Sequence, residues 1–186
     1  MRSTVISLAV AFALASICNL YAAELAGVSM PDTVQVGRTS LVLNGMGLRT
    51  KYMVKVYVAG LYLTQKSADP GAILKADEPK RIVLQFMRSV SKNQMAEAFD
   101  ESFRDNAPDA ERTMKADIDR MLGALEPLKE GDQMIFTCVP GMGTTFAING
   151  KERLVIDGPS FGQALFSVWL GPKPPTAALK KGLLGQ

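Results

Sequence analysis

The apolar pattern along the chain changes period several times. From Val34 to Thr64, β-branched, tyrosine and leucine residues dominate, interrupted by Gly37 and by Asn44-Gly45-Met46-Gly47. This composition predicts two or three strands, the longest over Tyr52 to Leu63. On period-2 geometry Met53, Lys55, Tyr57, Ala59 and Leu61 share one face of that strand, and Tyr52, Val54, Val56, Val58, Gly60 and Tyr62 share the other. Both faces are largely apolar. A strand covered on both sides is predicted, by helices on one and by a ligand or a second layer on the other.

Asp69-Pro70-Gly71 opens a short helix running to about Ala76, and Arg81 to Phe86 is another strand. The period then lengthens. Ser91 and Gln94 have the spacing of a capping box, and Met95, Phe99 and Phe103 follow at four-residue intervals, which predicts a helix ending near Asp105. Pro108-Asp109 starts a second helix with Met114, Ile118, Met121, Leu122 and Leu125 as its apolar stripe and Pro127 as its stop, so the two form a helical hairpin. Strands are predicted over Gln133 to Val139, Thr144 to Ile148 and Arg153 to Ile156. Pro140 to Gly143 joins the first two, and Asn149-Gly150, a strong hairpin signal, joins the last two. Ser160 with Gln163 suggests a further capping box, heading a helix that carries Phe161, Leu165, Val168 and Trp169 and ends at Gly171. Thr176 caps a last helix with Leu179, Leu183 and Leu184. Strands, paired helices, strands, then paired helices describe an α+β domain with an antiparallel sheet.

The N-terminus changes this picture. Arg2 followed by the uncharged apolar run Thr4 to Ile17 reads as a secretory signal, too short to span a bilayer, with cleavage expected after Ala23. Residues 1–23 are thus expected to be a signal peptide and residues 24–186 a single domain in the periplasm or secreted, with no membrane-spanning segment after cleavage. Cys18 does not make a lipoprotein signal, because Ile17 stands where a small residue is required. Without the leader one cysteine remains, Cys138, in the apolar run Ile135 to Val139, where it reads as a buried small hydrophobe. The formal charge of +3 falls by one with Arg2, and so small a charge implies no nucleic-acid partner.

Histidine is absent from the chain. That removes Ser-His-Asp and Cys-His nucleophiles, the usual zinc ligand sets and imidazole acid–base work. Gly141 to Gly143 has the look of a phosphate-loop fragment, but no helix start follows it, so a hairpin turn is expected. The methionines at 95, 114 and 121 fall on helix stripes and read as core. The charges of the helical hairpin lie off those stripes, with Asp100–Arg104 and Glu111–Lys115 as expected pairs. One cluster stands apart. Arg49, Lys51, Lys55, Tyr57 and Tyr62 are packed into fourteen residues of strongly apolar strand. Arg49 and Lys55 must either lie at strand ends and edges or meet an anion, since a buried unpaired charge is costly. Arg49 and Tyr57 become neighbours only if a hairpin lies between them.

Gly45 to Leu63 (GMGLRTKYMVKVYVAGLYL), together with residues 161–171 (FGQALFSVWLG) and 179–185 (LKKGLLG), resembles the chalcone isomerase-like family, in particular its bacterial exported branch. The resemblance implies an open-faced β-sandwich, with a curved antiparallel sheet, helices packed on one side and a ligand cleft between. It implies either enzymes that cyclise chalcones or non-catalytic relatives that bind fatty acids. In the latter an arginine and a tyrosine hold the ligand carboxylate, and those positions fall on Arg49 and Tyr57. The tyrosine and asparagine of the isomerase site fall on Met95 and Ser102, and a thioether cannot relay a proton. The expectation is therefore a periplasmic binding protein for a fatty acid or similar carboxylated amphiphile, with Arg49 and Tyr57 as ligand-binding residues and no catalytic residue, metal or cofactor. Two alternatives stand beside it: an intramolecular lyase or isomerase acting on a phenolic substrate, and a structural or partner-binding module of the envelope with a collapsed cleft.

Overall fold

A computed structural model describes residues 22–186. The expected signal peptide lies outside the described residues up to residue 21, and the expected cleavage after Ala23 falls within the first strand. That strand, β1 (Ala22–Leu25), pairs with β2 (Val28–Pro31) as a separate hairpin. β3 (Thr33–Val36), β4 (Thr39–Lys51) and β5 (Val54–Leu63) follow, then α1 (Pro70–Lys75) and β6 (Lys80–Phe86). Next come α2 (Lys92–Asn106), α3 (Pro108–Thr113), α4 (Lys115–Gly123), β7 (Gln133–Val139), β8 (Gly143–Ile148), β9 (Lys151–Ile156), α5 (Pro159–Leu170) and α6 (Ala177–Leu183). β3 to β9 form one antiparallel sheet in sequential order, curled around helices that pack on one side. The α+β class with an antiparallel sheet is as the sequence pattern predicts, and the curved, one-sided layer arrangement is as the resemblance implies. Among the described residues no helix is long and apolar enough to cross a membrane.

Both faces of β5 are covered. Tyr57, Ala59 and Leu61 join the larger core under the helices, with Phe99, Phe136 and Trp169. Val58 and Tyr62 point the other way, into a smaller core closed by Val28 and Met30 of the β1–β2 hairpin. This hairpin is the second layer. Of α5, every residue from Phe161 to Leu170 except Gln163 is buried, which makes it the central helix of the domain. Cys138 is a buried free thiol in β7, as its apolar setting predicts.

Tyr62 shows what the second layer does to a polar group. Its hydroxyl donates to the Pro31 carbonyl at 3.0 Å, and burial pushes the phenol up to about 12, an effect that nearby Arg81 opposes. The neutral phenol is the form the fold favours, so its contribution to stability is complete below the usual value of 10.0 and is lost as pH rises through about 12. Alkaline absorbance titration of the folded protein should show one phenolate appearing late, and Tyr62→Phe should remove that step.

Four local expectations are corrected. Asn44 to Gly47 lies inside β4, which at 13 residues is the longest strand, and the turn falls instead at Tyr52-Met53. Asn44 is a bulge, since Leu43 pairs with Tyr62 and Gly45 with Leu61. Its buried side chain ties α6 to the loop after β5, donating to the carbonyls of Leu183 (2.7 Å) and Ser67 (3.0 Å). The second helix of the predicted hairpin breaks at Met114 into α3 and α4. Ser160 forms no cap, because α5 starts earlier, at Pro159 behind Gly158, whose φ of 88° suits glycine. Lys115 pairs with Asp119 at 2.9 Å rather than with Glu111. The Ser91–Gln94 capping box, the Thr176 cap, the Asn149-Gly150 turn and the Asp100–Arg104 pair form as predicted.

Candidate functional site

A bulge brings Arg49 and Tyr57 together. At the hairpin end Lys51 pairs with Val54 and Thr50 with Lys55, a register that continued unchanged would set Arg49 opposite Val56. Directly paired residues point to the same face, so Tyr57 would then face away from Arg49. Instead Val56 is the extra residue, and Arg49 pairs with Tyr57. The Arg49 guanidinium carbon lies 5.8 Å from the centre of the Tyr57 ring, within cation–π range. Lys51 and Lys55, the other cations of the cluster, are exposed beside the turn.

The pair opens into a cavity of about 330 Å³ between the sheet and the helices. This is at the small end of the roughly 300–1,000 Å³ usual for small-molecule sites. Leu84, Phe86, Met95, Phe99, Val168 and Trp169 form its apolar walls. Phe86 packs at 5.6 Å from the Tyr57 ring and Phe99 at 6.0 Å from Trp169. Its cations are Arg49 and Lys51 from β4 and Arg88 from the connection after β6. Among the described residues no aspartate or glutamate lines the cavity.

Two polar groups in it are unsatisfied in complementary ways. Nε of Arg49 is buried and donates to nothing among the described residues. Trp169 Nε1 donates to the Tyr57 hydroxyl at 3.0 Å, which occupies an acceptor lone pair and leaves the phenolic hydrogen free to donate in turn. A guanidinium and a phenol thus offer donors to the same space, and among the described residues no carboxylate lines it. That is a receptor for an anion with apolar substance behind it.

Both ligand-binding residues predicted from sequence line the cavity, and so do Met95 and Ser102. Trp169 and Arg88 were missed as site residues. Trp169 was read as core, yet its indole N–H needs an acceptor when buried, and that need is a legible signal. Arg88 carries no such signal, because only the fold places the end of β6 beside β5 at Tyr57. Tyr57→Phe would keep the ring packing but orphan the Trp169 N–H, so a loss of about 1–3 kcal/mol in denaturant unfolding is expected.

The sequence profile of the chalcone isomerase-like family matches residues 22–185. The chain belongs to this family. Its structure is similar to the crystal structure of a fatty-acid binding protein from Arabidopsis thaliana, with a TM-score of 0.69 over 88% of this chain and 96% of that one. The two are 16% identical, so the likeness establishes the fold. A search of curated protein sequences finds no match.

Proposed function

We propose that this protein is a non-catalytic binding protein that holds a fatty acid or similar carboxylated amphiphile in the cleft beside Tyr57. The buried Nε of Arg49, which has no acceptor among the described residues, carries the reading, since a cationic donor left open in a cleft lined by none of the described acidic residues is completed by an anionic ligand. Charge-assisted hydrogen bonds from Arg49 and Tyr57 would take the carboxylate, and the walls from Leu84 to Trp169 would take the acyl chain. The solved relative's name, a fatty-acid binding protein, is consistent with that cargo. A formed cavity speaks against the collapsed-cleft alternative.

We place the protein in the bacterial exported branch of the family, acting in the periplasm after removal of residues 1–23. Native mass spectrometry of the protein purified from its host tests both statements at once. The expected result is a chain beginning near Glu24 with a carboxylated lipid bound. An empty chain with no micromolar affinity for added fatty acids would overturn the binding reading, and an unprocessed N-terminus would overturn export.

A further inference from the structure

The β4–β5 hairpin ends in an unusual tip. Tyr52 is 88% exposed, Met53 98% and Val54 44%, three consecutive residues among the four large apolar side chains that stand exposed in the described chain. Tyr52 and Met53 also occupy left-handed backbone, at φ 50° and 65°. Bulky residues avoid that region. The other two-residue hairpin turns of this kind among the described residues are Ala26-Gly27, at φ 55° and 89°, and Asn149-Gly150, at φ 51° and 73°, each with a small or turn-favouring residue first and glycine second. Strain and exposure kept together at one tip point to a contact outside the chain.

The tip stands clear of the sheet. β5 pairs with β6 only from Tyr57 onward, so the hairpin from Thr50 to Lys55 has no flanking strand. Its charge has one sign. No aspartate or glutamate occurs between Asp32 and Asp69, whereas Lys51 and Lys55 flank the apolar tip, and exposed Arg88 lies at the same cleft mouth. An apolar point collared by cations matches a surface that is negative outside and greasy beneath. Tyrosine sits comfortably at such a boundary, and lysine stems reach from the apolar layer up to the headgroups. A second copy of the chain would bring the same cations face to face.

We propose that the β4–β5 tip docks this protein on an anionic lipid bilayer, Tyr52, Met53 and Val54 entering the interface and Lys51, Lys55 and Arg88 meeting the headgroups. Because Lys51, Tyr52 and Val54 also line the cleft, docking sets its mouth against the membrane. That link to cargo rests on the amphiphile reading, while docking itself does not.

The test uses protein from expression of the full chain, its processing checked by intact mass, sedimented with phosphatidylglycerol–phosphatidylcholine vesicles. Binding is expected, weakening with salt and nearly absent on phosphatidylcholine alone. Met53 and Lys55 do not line the cleft, so Met53→Asp/Lys55→Glu should cut vesicle partitioning roughly tenfold or more while fatty-acid affinity in solution is unchanged. Tyr52→Asn/Met53→Gly supplies residues that suit the turn, so it should lose docking with thermal stability equal or higher. No sedimentation, equal binding to neutral vesicles, binding that both variants retain, or concentration-dependent dimers abolished by the same substitutions would overturn the proposal. If fatty acids fail to bind but vesicles still do, only the cargo reading falls.

Discussion

Arg49→Ala should abolish most ligand binding and leave the fold as stable as before, or more so. The two halves of this expectation come from the same atom. Hydrogen bonds to a charged group are worth roughly 1.5–3 kcal/mol each, so losing the guanidinium should weaken affinity for a carboxylated amphiphile by about 10- to 100-fold. In the empty protein the buried Nε has no partner, and a buried unsatisfied donor is destabilising by about 1–3 kcal/mol. Removing it relieves that penalty, although the lost packing against Tyr57 offsets part of the gain. Titration with a fluorescent fatty acid, beside thermal unfolding of the empty protein, reads both quantities. An Arg49→Ala protein that binds normally would show that the cleft recognises something other than an anion. Tyr57→Phe makes the contrast, because there binding and stability should fall together.

Gly47→Ala should destabilise the protein by about 3 kcal/mol, near the upper end of the usual range for overpacking. At this chain length that corresponds to a fall in melting temperature of about 6–12 °C. A methyl group at Gly47 would run into the carbonyl of Leu179, and one at Gly45 into that of Gly182, while a methyl at Gly182 would strike the Met46 carbonyl. β4 and α6 therefore lie backbone against backbone, and neither surface can recede as a flexible side chain would. Elsewhere a glycine-to-alanine change inside a helix gains about 1 kcal/mol of propensity. Gly182→Ala should instead lower the melting temperature. Combined with Gly47→Ala it should cost less than the sum of the two, since either methyl group pushes α6 off the same stretch of β4. Fully additive losses would mean that the helix is not seated on these glycines.

The same segment shows where sequence reasoning failed. Asn-Gly-Met-Gly has the composition of a turn, and Tyr-Met has that of a strand, so local propensity places the hairpin end about six residues too early. The glycines sit in β4 because α6, more than 130 residues further along the chain, needs the space they leave. The tip carries large apolar residues in spite of its backbone. The first position is decided by packing that the local pattern does not contain. Where a local preference and the fold agreed, as at Ser91–Gln94, Thr176 and Asn149-Gly150, the elements form where their residues place them.

By itself the sequence determined the periods of its strands and helices, the burial of β5 on both faces, the family resemblance and the pairing of Arg49 with Tyr57 as candidates. The periods and the double burial follow from the spacing and chemistry of residues near one another in the chain, and the two candidates follow from the resemblance. The tertiary structure decided whether those candidates meet. A single extra residue at Val56 turns Tyr57 to the face of Arg49, and α5 brings Trp169 from 112 residues away to set the phenol's hydrogen bond. An alternating strand gives no sign of where its register slips, and a helix's partner across the core is fixed by packing. That is why Arg49 and Tyr57 could be named from the sequence, while Trp169, Arg88 and the geometry of the site could not.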